Sequence, residues 1–501
     1  MDALEELVAT WTDGLWSWAV VPVVAVLGVY FTARSGVVQL RLLPRMVKGL
    51  TDRTPTDAEG KPQSLSAFQA FSVSAASRVG IGNIAGVGTA IAVGGPGAIA
   101  WMWLMALIGA ATSFVEATLA QLYKHRDASG FRGGPAYYVQ RGLGLRWLGI
   151  TLAVVLIVAA PFAVTMLQSF TIAETVTDSF TGGAPGWVAP TVTVIVGALT
   201  AAVIFGGSHR IALVTETLVP LMAFLYLGLG VLIVVLHADA IGPVVSAIVH
   251  DAVTGEAVAG GALGTVILTG VQRGMFSNEA GFGTAPNAAA SAATTHPVKQ
   301  GLVQSLGVYF DTLFVCSITA FIILVTRPDL ETAEPGVALT HDAVVGSLGG
   351  WAGILLSVIV FMLAFSTILG LYFYGESNVE YITGRRTVLV GYRIAVIALV
   401  VIGGLVSASL VWSLSDLLLG FLALLNLLAL APLSRHAFAL LRDFTAQHRE
   451  GRDPVFTRDR LPAIPRVDVW EDEETVTGLP GPGTPEAEPK IGHPPDAPPG
   501  P

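Results

Sequence analysis

Residues 72–97, SVSAASRVGIGNIAGVGTAIAVGGPG, constrain this chain more than any other stretch. They are long and apolar enough to cross a bilayer, for which a helix needs about 20 residues. Their middle resists regular helix, because Gly80, Gly82, Gly86 and Gly88 crowd it and each glycine costs about 1 kcal/mol against alanine. Arg78 lies at the same depth, and an ionisable side chain inside a membrane points to function by default. Non-helical backbone survives there only where protein buries it or it lines a cavity. A span that is glycine-broken and carries an arginine is therefore read as part of a binding site.

The composition agrees with a membrane setting. Of 501 residues, 53% are hydrophobic and only 13% charged, about half the charged share of a soluble domain. The formal charge of −9 names no partner, since the acids gather in the tail and outer loops, and no nucleic acid is expected. Cys316, the one cysteine, excludes an intramolecular disulfide and a cysteine metal cluster; its apolar surroundings predict an inert core thiol. Met1 to Gly14 is acidic rather than a basic leader, so the first apolar run is expected to stay as a span.

Hydropathy predicts an all-α polytopic protein with eleven spans, at 15–33, 68–94, 96–122, 147–176, 187–205, 214–236, 262–290, 302–326, 351–374, 388–409 and 411–433. Arg34, Arg41, Arg45, Lys48, Arg53 and Lys61 follow the first span, and Lys124, Arg126, Arg132, Arg141 and Arg146 follow the third. The opposite side offers Arg327 among Asp329, Glu331, Glu334 and Asp342. The positive-inside rule then places the N-terminus outside the plasma (inner) membrane and the C-terminus in the cytoplasm.

The expected divisions are an extracytoplasmic 1–14, an extra N-terminal helix 15–33, a cytoplasmic loop 34–67, five-span groups 68–236 and 262–433, and a cytoplasmic, largely disordered tail 434–501. From Glu471 that tail is rich in Pro, Gly and Glu and has no apolar face to bury. Five is odd, so the two groups insert in opposite senses as an inverted repeat. Each opens with a glycine-interrupted span, the best sequence pointer to a transporter binding site. Close helix packing by small residues is the alternative reading.

The second interrupted span, GTVILTGVQRGMFSNEAGFGTAPNAAASAATTHP, carries Gln272, Arg273, Ser277, Asn278 and Glu279 among its glycines. A half-helix N-terminus favours an anionic group, and the carboxyl end of a facing half-helix favours a cation. Two such breaks can hold a zwitterion. Alternatively, Arg273 and Glu279 pair with each other or with Glu116. Ser366 and Thr367 stand in an apolar run, where back-bonding to the preceding turn competes with ligation of a monovalent cation. Thr165, Gln168, Ser169 and Thr171 form a polar patch after Pro161, and Asp311, Glu216, Glu376 and Asp416 are lone acids near span ends. No GxxxxGK[ST] loop and no HExxH pair occurs, so neither a nucleotide motor nor a metalloprotease site is expected.

RVGIGNIAGVGTAIAVGGPGAIAWMW (78–103), FRGGPAYYVQRGLG (131–144), IFGGSHRIALVTETLVP (204–220), FSNEAGFGTAPNAAASAA (276–293), HPVKQGLVQSLGVYFDT (296–312) and AFSTILGLYFYGE (364–376) resemble the alanine/glycine:cation symporter family. The resemblance covers 30–433 in order, and its GNIAG and FSNEAG blocks are specific. It implies a leucine-transporter fold in spans two to eleven and sodium-coupled import of small neutral amino acids, alanine or glycine. Carried over by position, the substrate carboxylate meets the backbone of Gly80, Ile81 and Gly82, and the ammonium faces Phe276 and Ser277 with Gln168 nearby. Sodium sits between carbonyls of Ala76 and Val79 and hydroxyls of Ser366 and Thr367. Asn83 lies near a second cation position.

The chain departs from the family pattern at Arg78 and Ile81, where Thr is usual, at Thr165 and Phe170, for Asn, and at Leu371, for Trp. A guanidinium at 78 can replace one cation or clamp the carboxylate, and Leu371 leaves room for a side chain larger than methyl. The expected protein is a monomeric sodium symporter in a lipid bilayer, working by alternating access. Proton coupling through Glu279 or Asp311 is the alternative within transport, and a non-transporting amino-acid sensor the alternative outside it. A channel is disfavoured, because no pore-lining ring is evident.

Overall fold

The computed structural model describes residues 2–57, 59–127, 130–178, 184–254, 263–330, 334–406 and 408–478. Among these residues the chain is mainly helical, and its one hairpin pairs His125–Asp127 with Gly130–Arg132. Eight helices are long and apolar enough to cross a membrane, nine when Ala67–Arg78 and Ile81–Gly94, bent by 57°, count as one span. The other two stretches that hydropathy read as spans are shorter elements. Val188–Ile204 has 17 residues, and 262–290 resolves into Leu263–Asn278, an irregular turn and Pro286–Ala290.

The two five-member groups match element for element. The first runs through the bent pair, Gly97–Leu122, Arg146–Asp178, Val188–Ile204 and Gly207–Leu236. The second runs through the interrupted helix, Pro297–Val325, Gly350–Ile382, Arg386–Gly403 and Ala408–Arg449. The interrupted members sit at the centre. Every residue from Ala70 to Gly88, and from Arg273 to Thr294, is buried. Helices buried all round by protein can carry Ser, Asn and Gly where lipid-facing helices need Leu and Val.

Local chemistry explains where the first interrupted helix begins. Ser66 Oγ accepts from the Gln69 N–H at 3.1 Å while Gln69 Oε1 accepts from the Ser66 N–H at 3.1 Å, a reciprocal capping box. Four π-turns occur among the described residues, at Trp16–Val20, Val139–Leu143, Val158–Val164 around Pro161 and Phe310–Cys316. Pro161 lacks an N–H to continue the ladder, and wide turns of this kind recur at functional sites. Two helices that hydropathy did not show fill the connections, Ile241–Thr254 and Val337–Leu348. The first of these caps the Gly97–Leu122 helix, whose Gly97 N–H donates to Asp251 Oδ2 at 2.7 Å.

The tail boundary at 434 needs correction. The last helix continues to Arg449, and residues 450–478 return beneath the bundle as a strap. Phe456, Ile464, Trp470 and Val476 are buried, which supplies the apolar anchorage that a disordered tail lacks. The Trp470 Nε1–H donates to Gln121 O at 3.1 Å, the Phe456 N–H to Thr295 O at 2.9 Å, and Lys299 Nζ reaches Asp453 at 2.8 Å. Residues 479–501 of the expected disordered region lie outside the described residues.

Candidate functional site

The first break starts where Arg78 ends its helix. Val79 leaves helical geometry (φ −79°, ψ 82°), Gly80 is extended, and Ile81–Asn83 makes one tight turn before Ala85–Gly94 resumes. Side chains answer the freed N–H groups. Gly80 N–H donates to Asn83 Oδ1 at 2.9 Å and Ile81 N–H to Gln168 Oε1 at 3.4 Å. The Ile81 donor, whose bond is the longer of the two, sits where an incoming carboxylate could take it over.

The second break follows Asn278. Glu279 adopts φ 57°, a left-handed conformation uncommon outside glycine, and Gly281 and Gly283 follow at 94° and 78°. Glu116, from the Gly97–Leu122 helix, fills the turn: its carboxylate accepts from Gly281 N–H at 3.1 Å, Gly283 N–H at 3.0 Å and Asn426 Nδ2 at 2.6 Å. One buried anion thus satisfies donors that the break would leave unpaired.

Between the breaks lies a small cavity of about 20 Å³, lined by Gly80, Gly82, Gln168, Phe276, Thr367 and Leu371 together with Arg78, Ser77, Glu279 and Thr284. That volume holds about one water, so entry of an amino acid requires the walls to part. Phe276 packs on Trp412 with ring centroids 5.3 Å apart. Arg273 lies over both rings and pairs with Asp416 at 2.5 Å. A larger open cavity, lined by Arg273, Trp412, Asp416, Glu174 and Thr171 among others, adjoins this pair.

Ser366 and Thr367 face the carboxyl end of the first half-helix. Thr367 Oγ1 donates to Ala76 O at 3.0 Å, and Ser366 Oγ lies 3.4 Å from the same oxygen. Both also back-bond to Leu363 O. Ala76, Ser366 and Thr367 therefore form one oxygen cluster beside Val79.

Three readings of the sequence are altered. Arg273 pairs with Asp416 rather than with Glu279 or Glu116. Ser277 does not line the cavity: its hydroxyl donates to Asp311 Oδ2 at 2.7 Å, where Asn83 Nδ2 reaches Oδ1 at 2.6 Å and Thr312 Oγ1 reaches Oδ2 at 3.0 Å. Asp311 is thus no span-end charge but a wholly buried carboxylate, turned toward the break by the π-turn that carries it. Arg78, the third case, is committed to Gln304 O at 3.0 Å and Ser113 Oγ at 3.2 Å, so a substrate carboxylate would have to compete for it.

The residues that sequence reasoning underweighted are Glu279 and its partners. Ser77 Oγ donates to Glu279 at 2.5 Å, Thr284 Oγ1 at 2.9 Å and Tyr374 OH at 3.4 Å. Its place directly after Asn278 in the break was the available signal. Glu116, Glu279 and Asp311 are thus three buried carboxyl groups gathered at the two breaks.

The sequence model of the Sodium:alanine symporter family matches residues 1–458. The amino-acid carrier protein AlsT of Bacillus subtilis (strain 168) is 43% identical over 463 residues, covering 92% of this chain and 97% of that protein. The probable sodium/glutamine symporter GlnT of the same bacterium is 41% identical, covering 95% and 98%. Among solved structures, MhsT in complex with L-phenylalanine aligns with a TM-score of 0.51 at 14% identity, over 78% of this chain and 99% of that one. The likeness to MhsT carries the fold alone, the leucine-transporter arrangement of two inverted five-helix repeats.

Proposed function

Because this chain belongs to the sodium:alanine symporter family, a family of transporters and not of enzymes, we propose that it imports small neutral amino acids, alanine or glycine, with sodium. The observation that carries this reading is the oxygen cluster of Ala76, Ser366 and Thr367 at the carboxyl end of the first half-helix, where unwound carbonyls and hydroxyls suit a monovalent cation.

In this reading one sodium takes the place of the hydrogen bonds now directed at Ala76 O, binding Ala76, Val79, Ser366 and Thr367 oxygens while both hydroxyls keep their protons and turn them away. Asn83 serves a second cation beside Asp311. The substrate carboxylate meets the Gly80, Ile81 and Gly82 backbone, and the ammonium meets the second break near Phe276 and Ser277, facing Glu279. Gln168 and Leu371 close the wall. Sodium at the first site would tie the half-helix to the Gly350–Ile382 helix and so complete the substrate site; each ligand then raises the other's affinity by the same factor. The N-terminus lies outside and the C-terminal strap in the cytoplasm, in a monomer that opens alternately to each side.

Glu279 supports a second reading. A buried carboxylate that lines the cavity and holds three hydroxyls could carry a proton instead, with Asp311 as the other candidate. Radiolabelled alanine uptake into proteoliposomes, with sodium or choline outside and no pH gradient, separates the two. Accumulation that needs sodium, and shifts to higher sodium in the Ser366→Ala/Thr367→Ala variant, supports sodium coupling. Accumulation indifferent to sodium but driven by an imposed proton gradient supports the carboxylates. Absence of alanine uptake under either gradient would overturn alanine as substrate and call for longer side chains, glutamine among them.

A further inference from the structure

Four arginines that the central site does not use line one open cavity of 420 Å³: Arg34, Arg41, Arg442 and Arg449. Arg34 ends the first long helix, Glu6–Arg34, and Arg41 ends the short helix Val38–Arg41. Arg442 and Arg449 lie two turns apart on the last helix, beyond its apolar part. All four are exposed. No Asp or Glu lines the cavity, and among the described residues none of the four makes an ion pair. Arg41 donates to Ser35 O at 3.4 Å, and Arg34 lies 6.0 Å over the Phe438 ring.

The lack of acids is particular to this cavity. Elsewhere on the same face Arg132 pairs with Glu380 at 3.0 Å, Arg141 with Asp468 at 3.1 Å and Arg460 with Asp443 at 2.7 Å. Four like charges around one hollow repel each other unless an anion joins them.

The surroundings identify the anion's class. On the helix that ends in Arg34, Val26, Val29 and Tyr30 are 68%, 59% and 41% exposed, and Leu40, Leu43 and Val47 on the following short helices are 54%, 41% and 56% exposed. Apolar surface this extensive belongs against acyl chains, and the arginines stand where it stops, at headgroup depth. Basic pockets between membrane helices bind phosphate-bearing lipid headgroups, and the planar guanidinium fork matches phosphate oxygens two at a time.

We propose that this cavity holds the phosphate of an anionic phospholipid whose chains run along Val26, Val29 and Tyr30. A free phosphate would satisfy the arginines and leave the apolar surface unused, so the occupant is the lipid. The site is separate from the transport pathway and does not depend on which ion or amino acid is carried.

The test uses the purified full chain in neutral detergent, with phosphatidylglycerol, phosphatidylcholine or inorganic phosphate as probes and native mass spectrometry as readout. The wild type should retain phosphatidylglycerol in preference to phosphatidylcholine. Arg41→Ala/Arg442→Ala should weaken that retention about tenfold or more, as expected from losing two basic contacts. Arg34→Gln/Arg449→Gln should do the same. The charge-preserving Arg41→Lys/Arg442→Lys should keep most of it, and Arg386→Ala, an exposed arginine elsewhere, should change nothing. Equal retention of the two lipids, undiminished phosphatidylglycerol in both neutralised variants, or binding of inorganic phosphate without lipid would each overturn the proposal.

Discussion

Gly80 works through the atom it lacks. A Cβ there would collide with Thr367 Oγ1 and lie 3.4 Å from Gln168 Oε1, whereas a Cβ at Gly86 would meet nothing within 4 Å. Gly80→Ala should therefore cut sodium-driven alanine uptake at least about tenfold, by separating the half-helix from the Gly350–Ile382 helix. Gly86→Ala lies inside the resumed helix, should leave uptake near wild type, and should gain up to about 1 kcal/mol of helix stability. Glu279→Gln removes the carboxyl group from the cavity wall. It should raise the sodium needed for half-maximal uptake by about tenfold or more, as read from uptake against sodium concentration. Both breaks were legible at this scale, since glycine spacing is a local signal. The partners of Arg78 were not, because Gln304 and Ser113 come from distant helices, and nothing within a stretch of sequence says which helix will lie beside it.

At the scale of elements, Glu116 joins three parts of the fold: its own helix, the turn of the second interrupted helix, and Asn426 of the last helix. Glu116→Leu leaves two buried backbone donors unpaired, at about 1–3 kcal/mol each, and leaves the Asn426 amide only its bond to Gly281 O. Its melting temperature in detergent should fall clearly, and that of Glu116→Gln, which keeps one acceptor, should fall less. Hydropathy located the long helices well, because a bilayer imposes a minimum length. It missed Ile241–Thr254 and Val337–Leu348, which are too short for spans and read as connections. The π-turn at Asp311 was also hidden, for a widened turn without proline leaves no mark in composition. That is why Asp311 read as a span-end charge rather than as the hub of Asn83, Ser277 and Thr312.

For the molecule as a whole, the inverted repeat was readable from parity alone, since an odd number of spans per group forces opposite senses. The strap was not, because Phe456, Ile464, Trp470 and Val476 are scattered among charged residues and prolines with no helical or strand period. Deleting residues from 450 onward should lower the melting temperature and make the loops around Leu65 and Ala292, which bridge the two interrupted helices, more susceptible to protease. The strap is also tied by charge. A hydrogen bond from His125, with the Arg141 guanidinium beside it, holds the Asp468 carboxyl below the usual range. A depressed carboxylate stabilises the docked strap above its free value near pH 4 and loses that contribution as pH falls through the lower, docked value. Proteolysis of the strap should accordingly increase on acidification below about pH 4, and Asp468→Asn should flatten that response. The strap also decides where a reporter can be attached: a fluorescent fusion joined directly to Arg449 would report on a molecule without its floor, whereas one joined after Gly478 leaves Trp470 seated on Gln121.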